Sequence, residues 1–145
     1  AIKIYTSTAF LVGVAFVCVG TWIRVACYRE LGRFFTYVLA VRDKHTLVTT
    51  GPYAIVRHPA YTAGIMVKLG VTMCIFSRGS WWMETETARQ WPGKVVVGIW
   101  GYTTMRSIFV YSRAGKEDRM LKKVFGKEWT EWANAVPYRY VPGVW

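Results

Sequence analysis

The sequence predicts an all-α, polytopic membrane protein, with three transmembrane helices followed by a C-terminal amphipathic helix. Three observations predict it. Over 145 residues the chain is 53% hydrophobic and 17% aromatic, with a mean hydropathy of +0.20, yet its formal net charge is +11. The apolar residues gather in three long runs, and the basic residues fall on alternate connections between and after them. The tail after the third run repeats large apolar residues at steps of three and four. A nucleic-acid-binding domain would gather its basic residues on one face and has no use for such runs, so no nucleic-acid partner is expected. At this length one membrane-embedded domain, residues 1–145, is expected.

The first run is Ile4–Ile23, with no charge between Lys3 and Arg24. At about 1.5 Å per residue it crosses a hydrocarbon core of about 30 Å. It is too long for the apolar part of a signal peptide and lacks a small-residue cleavage site. The second run, Pro59–Ser77, is interrupted only by Lys68, whose stem can carry the ammonium toward water. The third, Val95–Ser112, is interrupted only by Arg106. An arginine inside a span is costly and normally faces protein or a polar cavity.

The connections set the orientation. Between the first two runs stand Arg24, Arg29, Arg33, Arg42, Lys44 and Arg57 against Glu30 and Asp43. The tail carries Arg113, Lys116, Arg119, Lys122, Lys123, Lys127 and Arg139 against Glu117, Asp118, Glu128 and Glu131. The connection between runs two and three has only Arg78, Arg89 and Lys94, with Glu84 and Glu86. Three crossings put the two basic segments on one side, which should be cytosolic, and Trp81, Trp82 and Trp91 suit an aromatic belt at the opposite interface. In the tail, Leu121, Phe125, Trp129, Trp132 and Val136 predict an amphipathic helix lying on the membrane or on its own domain. Cys18, Cys27 and Cys74 are odd in number and widely spaced, and are expected as reduced packing residues. Two histidines and no C-x-x-C pair give no zinc-ligand pattern, so no metal is expected.

The stretch GPYAIVRHPAYTAG, Gly51 to Gly64, places costly polar groups at the edge of the second run. Pro59 suits the first turn of a helix, where a missing N–H costs nothing. The free N–H groups and positive dipole end there, reinforced by Arg57 and His58, make an anion site or, equally, anchor a loop. TTGPY upstream reads as a turn, with Pro52 fixing the backbone and Gly51 allowing tight geometry. Arg106, Arg113 and Glu117, seven and four residues apart, fall on one stripe if span three runs on as a helix. Arg113 and Glu117 would then pair at i,i+4. A zwitterionic ligand fits between the two polar sets, its carboxylate at the helix start and its ammonium at Glu117.

HTLVTTGPYAIVRHPAYTAG, then about fifty residues later RAGKEDRMLKKVFGKEWTEW and VPYRYVPG, strongly resembles the isoprenylcysteine carboxyl methyltransferases. The resemblance runs from Leu31 to the C-terminus, and CYRELGRFF also looks like the family. It implies an integral membrane enzyme using S-adenosyl-L-methionine, located in the endoplasmic reticulum with its active site facing the cytosol. The implied acceptor is the C-terminus of a prenylated CaaX protein, or a small prenylcysteine or other lipophilic acid, within membrane lipid. By the match, His45, Thr46, Leu47 and Val48 form the cofactor strip and Tyr53 is the aromatic of the turn. His58, Pro59, Ala60 and Tyr61 form the H-P-x-Y segment, Glu117 is the cofactor-binding acid, and Arg113 orients the substrate carboxylate. Val38 stands where the family tends to have a polar residue, Ala63 where it has glycine, and Asp118 where it has the second glutamate.

Methyl transfer to a carboxylate needs alignment and exclusion of water, not a strong base, so the absence of a catalytic triad does not argue against an enzyme. Arg113 can hold the acceptor carboxylate by two parallel contacts, and Tyr53 or Tyr61 can offer a π face to the sulfonium. The chain has no G-x-G-x-x-G, which disfavours a Rossmann-type methyltransferase. The alternatives are an NADPH-dependent membrane sterol reductase, which shares an R-H-P-x-Y-like segment, and a non-catalytic membrane module.

Overall fold

The N-terminal apolar run becomes a helix as soon as a cap is available. Ser7 Oγ accepts from the backbone N–H of Phe10 at 3.3 Å, and α1 follows over Thr8–Leu31. It ends at Gly32, whose φ of 48° closes the helix in the left-handed region. The computed structural model describes residues 3–32, 46–85, 87 and 89–144, and among them every regular element is helical. A 3-10 turn, Gly51–Ala54, precedes α2 (Pro59–Phe76), which has its proline at the first position as expected. A single-turn α3 (Trp81–Glu84) is capped by Ser80, and α4 is Trp91–Tyr111. Then come α5 (Ala114–Phe125) and α6 (Lys127–Ala135).

Two stretches are helical, long and apolar enough to cross a membrane: α1, and Pro59–Glu84, which contains α2. Helix α4 occupies the third apolar run, at 21 residues or about 31 Å, but is not among them. Two expectations need correction. The single amphipathic tail helix is broken in two at Gly126, whose φ is 53°. The stripe of Arg106, Arg113 and Glu117 is also interrupted, because α4 stops at Tyr111 and Arg113 becomes the N-cap residue of α5.

The chain divides into two compact units. The first comprises Ala1–Thr21 and Gly64–Tyr111. Here α1 and α2 meet at Gly13 and Gly70, both buried. A Cβ on Gly70 would lie 2.5 Å from the Gly13 carbonyl oxygen and 2.9 Å from the Val17 nitrogen, so hydrogen is the largest substituent that fits. Small residues permit this close backbone approach where lipid gives no hydrophobic drive to association. Cys74 Sγ reaches the Phe10 carbonyl at 3.7 Å beside the crossing. Lys68 reaches toward α4. Its Nζ donates to Thr103 Oγ1 at 2.8 Å and to the Trp100 carbonyl at 3.4 Å, and lies 5.1 Å from the Trp100 ring centroid. Arg106, expected to face protein, is exposed on α4 beside the exposed Met105 and Phe109.

The second unit, Trp22–Ala63 and Ser112–Trp145, is built on the buried Cys27, Tyr53, Trp129, Trp132 and Val136. Leu31, Leu121 and Phe125 pack against them. The amphipathic tail therefore lies on its own unit, its tryptophans forming core rather than a membrane anchor.

The glycine crossing predicts opposite outcomes for two substitutions. Gly70→Val should cost about 1–3 kcal/mol as an overpacked site. Gly98→Ala in α4, with nothing within 4 Å of the added methyl, should be neutral or slightly stabilising. Thermal unfolding in detergent distinguishes them. Equal losses for both would exclude close approach as the reason for Gly70.

Candidate functional site

The second unit gathers its polar residues in steps that begin at the turn. Thr50 Oγ1 donates to Glu30 Oε2 at 2.7 Å, and Gly51 sits directly over that carboxylate with φ 59°. A Cβ at Gly51 would come within 2.8 Å of the Glu30 side chain, whose flexible end can move aside, so it is the backbone angle that calls for glycine in this turn. The turn drives Tyr53 into the core, where its carbonyl accepts from Trp132 Nε1 at 3.2 Å. Burial, with Cys27 and Glu117 nearby, raises the Tyr53 phenol well above its ordinary value and keeps it protonated.

The next residues pair with the C-terminal segment. The backbone N–H groups of Arg57 and His58 donate to the carbonyls of Tyr138 and Arg139 at 2.9 and 2.8 Å. Thr62 Oγ1 donates to the Tyr140 carbonyl at 2.6 Å, and Arg57 NH2 to that of Pro137 at 3.0 Å. These bonds carry Arg139 and the Tyr140 ring to His58. The imidazole lies 5.5 Å from the stacked Tyr61 ring and 6.0 Å from that of Tyr140.

Asp118 is the centre of this arrangement. Its Oδ1 lies 2.9 Å from His58 Nε2, and its Oδ2 lies 3.5 Å from Arg57 NH1 and 3.3 Å from Arg139 Nε. Burial alone would raise the Asp118 carboxyl. The His58 hydrogen bond, with the charges of Arg57 and Arg139 beside it, outweighs it and holds the group below the usual carboxylate range. An ionised carboxylate only accepts, so the shared proton belongs to His58 Nε2. The anion expected at the start of α2 is thus supplied by the protein itself, and Arg57 is already committed to it.

Glu117, one residue earlier, is placed differently. Its side chain is 33% exposed, and its Oε2 accepts from Tyr61 OH at 2.9 Å and lies 3.8 Å from His58 Nδ1. Its Oε1 has no partner among the described residues. The expected Arg113–Glu117 ion pair is not formed. At the cap of α5, Arg113 offers its carbonyl to the N–H groups of Lys116 and Glu117, at 2.8 and 3.0 Å. Its half-buried guanidinium makes no ion pair or hydrogen bond with described residues, yet lies within electrostatic reach of Tyr61.

The sequence-based site is therefore brought together in part. His58, Tyr61 and Glu117 meet, with Arg113 close by. Pro59 and Ala60 form the buried and half-buried first turn of α2, and Ala60 packs on the core. Leu47 and Val48 also pack on the core, Thr46 is exposed, and His45 and Val38 lie outside the described residues. Ala63 is fully buried. Sequence reasoning missed the roles of Asp118 and Arg139. For Asp118 a signal existed: it precedes Leu121 and Phe125 by three and seven residues, on the apolar stripe of α5. Arg139 sits in an irregular segment with no periodicity to mark it.

The sequence model of the isoprenylcysteine carboxyl methyltransferase family matches residues 12–85, more than half of the chain. The chain belongs to that family. It is 27% identical over 127 residues to protein-S-isoprenylcysteine O-methyltransferase B of Arabidopsis thaliana, covering 86% of this chain and 55% of that protein. Over 62 residues it is 39% identical to the protein-S-isoprenylcysteine O-methyltransferase of Schizosaccharomyces pombe, covering 41% of this chain and 26% of that protein. The chain spans about half the length of the curated relatives it matches in most of its own length. Its two apolar helices and its family together make it a membrane protein. The family match ends at residue 85, so it includes His58 and Tyr61 but not Arg113, Glu117 or Asp118; hydrogen bonds join the two sets.

The depressed Asp118 carboxyl predicts an acid limit to stability. Unfolded, the group titrates near about 3.9. Its folded value is lower, so its contribution is complete above about pH 4 and is lost as pH falls through the folded value. Asp118→Asn should unfold at lower temperature than wild type at neutral pH, and the gap should close in acid. A gap unchanged across pH would show that the carboxylate charge stabilises nothing.

Proposed function

We propose that this chain carries the cofactor-binding and carboxylate-orienting part of an integral membrane methyltransferase. The reaction is S-adenosylmethionine-dependent esterification of the C-terminal carboxylate of a prenylated cysteine. One observation carries the reading. Of two adjacent acids, Asp118 is buried and compensated, while Glu117 is half-exposed with Oε1 uncommitted, four residues from an arginine that no described acid neutralises. An available anion and an available cation so close together suit two ligands of opposite charge.

The residues fit the cofactor. Glu117, held through Oε2 by Tyr61, offers its free oxygen to the amino acid ammonium, and Tyr61 presents a ring at the same place. By the family resemblance Thr46, Leu47 and Val48, with Tyr53 and the His58–Pro59–Ala60 turn, complete the cofactor site; His45, named with them, lies outside the described residues. Bound S-adenosylmethionine supplies the electrophilic methyl group. Arg113 holds the acceptor carboxylate by two parallel N–H contacts and aligns one oxygen for in-line displacement. The acceptor is ionised at neutral pH, so no residue need remove a proton. Helix α4 is taken as a third crossing, its arginine and aromatic face covered by other protein or lipid, with the basic segments cytosolic and the membrane that of the endoplasmic reticulum. The relatives' names, and an Arg113 guanidinium with no ion-pair partner among the described residues, favour this over a sterol reductase or a non-catalytic module.

Two substitutions test the reading, using methyl transfer to a farnesylated cysteine acceptor alongside S-adenosylhomocysteine titration. Glu117→Gln should weaken cofactor binding by about ten- to a hundredfold, the loss of one charged hydrogen bond. Unchanged affinity in a folded variant would remove Glu117 from the site. Arg113→Lys should leave cofactor affinity largely intact and slow turnover by about a hundredfold, since lysine lacks the planar fork. Near-normal turnover would make Arg113 a surface anchor at the membrane edge.

A further inference from the structure

Asp118 is buried against His58, Arg57 and Arg139, away from the free oxygen of Glu117. We infer that Asp118 is a positioning residue that fixes the tautomer of His58, leaving His58 Nδ1 as a hydrogen-bond acceptor beside Glu117 for the cofactor ammonium. The inference rests on the reading of Glu117 as the ammonium site.

The proton count leads there. Asp118 Oδ1 is 2.9 Å from His58 Nε2 and both side chains are only 6% exposed, so the imidazole keeps its proton on Nε2. In the neutral ring the other nitrogen then carries a lone pair. That nitrogen is the one facing the site, 3.8 Å from Glu117 Oε2. An ammonium brings N–H donors and no acceptor. A carboxylate oxygen and an imidazole lone pair on adjacent positions are matched to it, and an N–H at Nδ1 would oppose it. The stacked Tyr61 ring and the Tyr140 ring hold the imidazole in this attitude.

The surroundings of Asp118 make the device one-directional. Its Oδ2 faces the Arg57 and Arg139 guanidiniums at 3.5 and 3.3 Å, so an oxygen is required on that side. An asparagine in this place must turn its oxygen to the two arginines and its NH2 to His58. Nε2 then becomes the acceptor, the ring proton moves to Nδ1, and the site gains a donor where it needs an acceptor. Replacing an orienting aspartate by asparagine is known to reverse a histidine tautomer without moving the side chains.

The experiment is nitrogen NMR of imidazole-labelled full chain in detergent, with S-adenosylhomocysteine titration of the same samples. The chain has only two histidines, so the spectrum is simple. Wild type at about pH 8 should show His58 protonated on Nε2. Asp118→Asn should show the reversed pattern and bind the cofactor analogue at least about tenfold more weakly, whereas Asp118→Glu should keep the wild-type pattern and most of the affinity. Wild-type His58 protonated on Nδ1 overturns the inference without any variant, even if Asp118→Asn does not fold. Unchanged affinity with a reversed tautomer also overturns it. A wild type that shows the Nε2 proton but binds no analogue fails instead on the ammonium site.

Discussion

The second unit depends on one buried contact, the bond between His58 and Asp118. It joins the first turn of α2 to α5 across sixty residues of sequence and draws Arg57 and Arg139 around a single carboxylate. Such a cluster is not a large source of net stability, because removing its charges from water offsets most of the attraction between them. Its value is geometric. Each member has few alternatives once the others are in place, and losing the shared carboxylate leaves the Arg57 guanidinium largely buried without compensation.

That constraint separates the roles of two neighbouring acids. Asp118 is spent on structure and its charge is neutralised at short range. Glu117 is held by one oxygen and keeps the other open. Adjacent helical positions differ by about a hundred degrees, so a single α5 serves both purposes without a kink or insertion. The first unit solves a different problem. Its helices touch backbone to backbone at Gly13 and Gly70, and Lys68 directs its ammonium to groups on α4.

What was legible in the sequence was local. Three apolar runs, the proline at the start of α2 and the glycine of the turn are each fixed by a few neighbouring residues, and all three correspond to elements of the structure. Gly126 carries no sequence signal of a break because the apolar repeat continues on both sides of it, and periodicity cannot register a break that preserves its phase. The Arg113–Glu117 pair satisfies helical spacing, but α4 ends at Tyr111, just short of Arg113, and the arginine becomes a cap. The pairing of Arg57 and His58 with Tyr138 and Arg139 left no mark at all. It is made by backbone groups, which every sequence carries alike.

The polar cluster also has a timetable. His58 is synthesised long before Asp118, and Arg139 emerges later still, so through most of translation the histidine has no carboxylate to bind. Closing so long a loop is entropically unfavourable until the intervening segments are in place. The site therefore closes only after α5 has been made, and a chain interrupted before Asp118 would leave the ribosome with its histidine unmated.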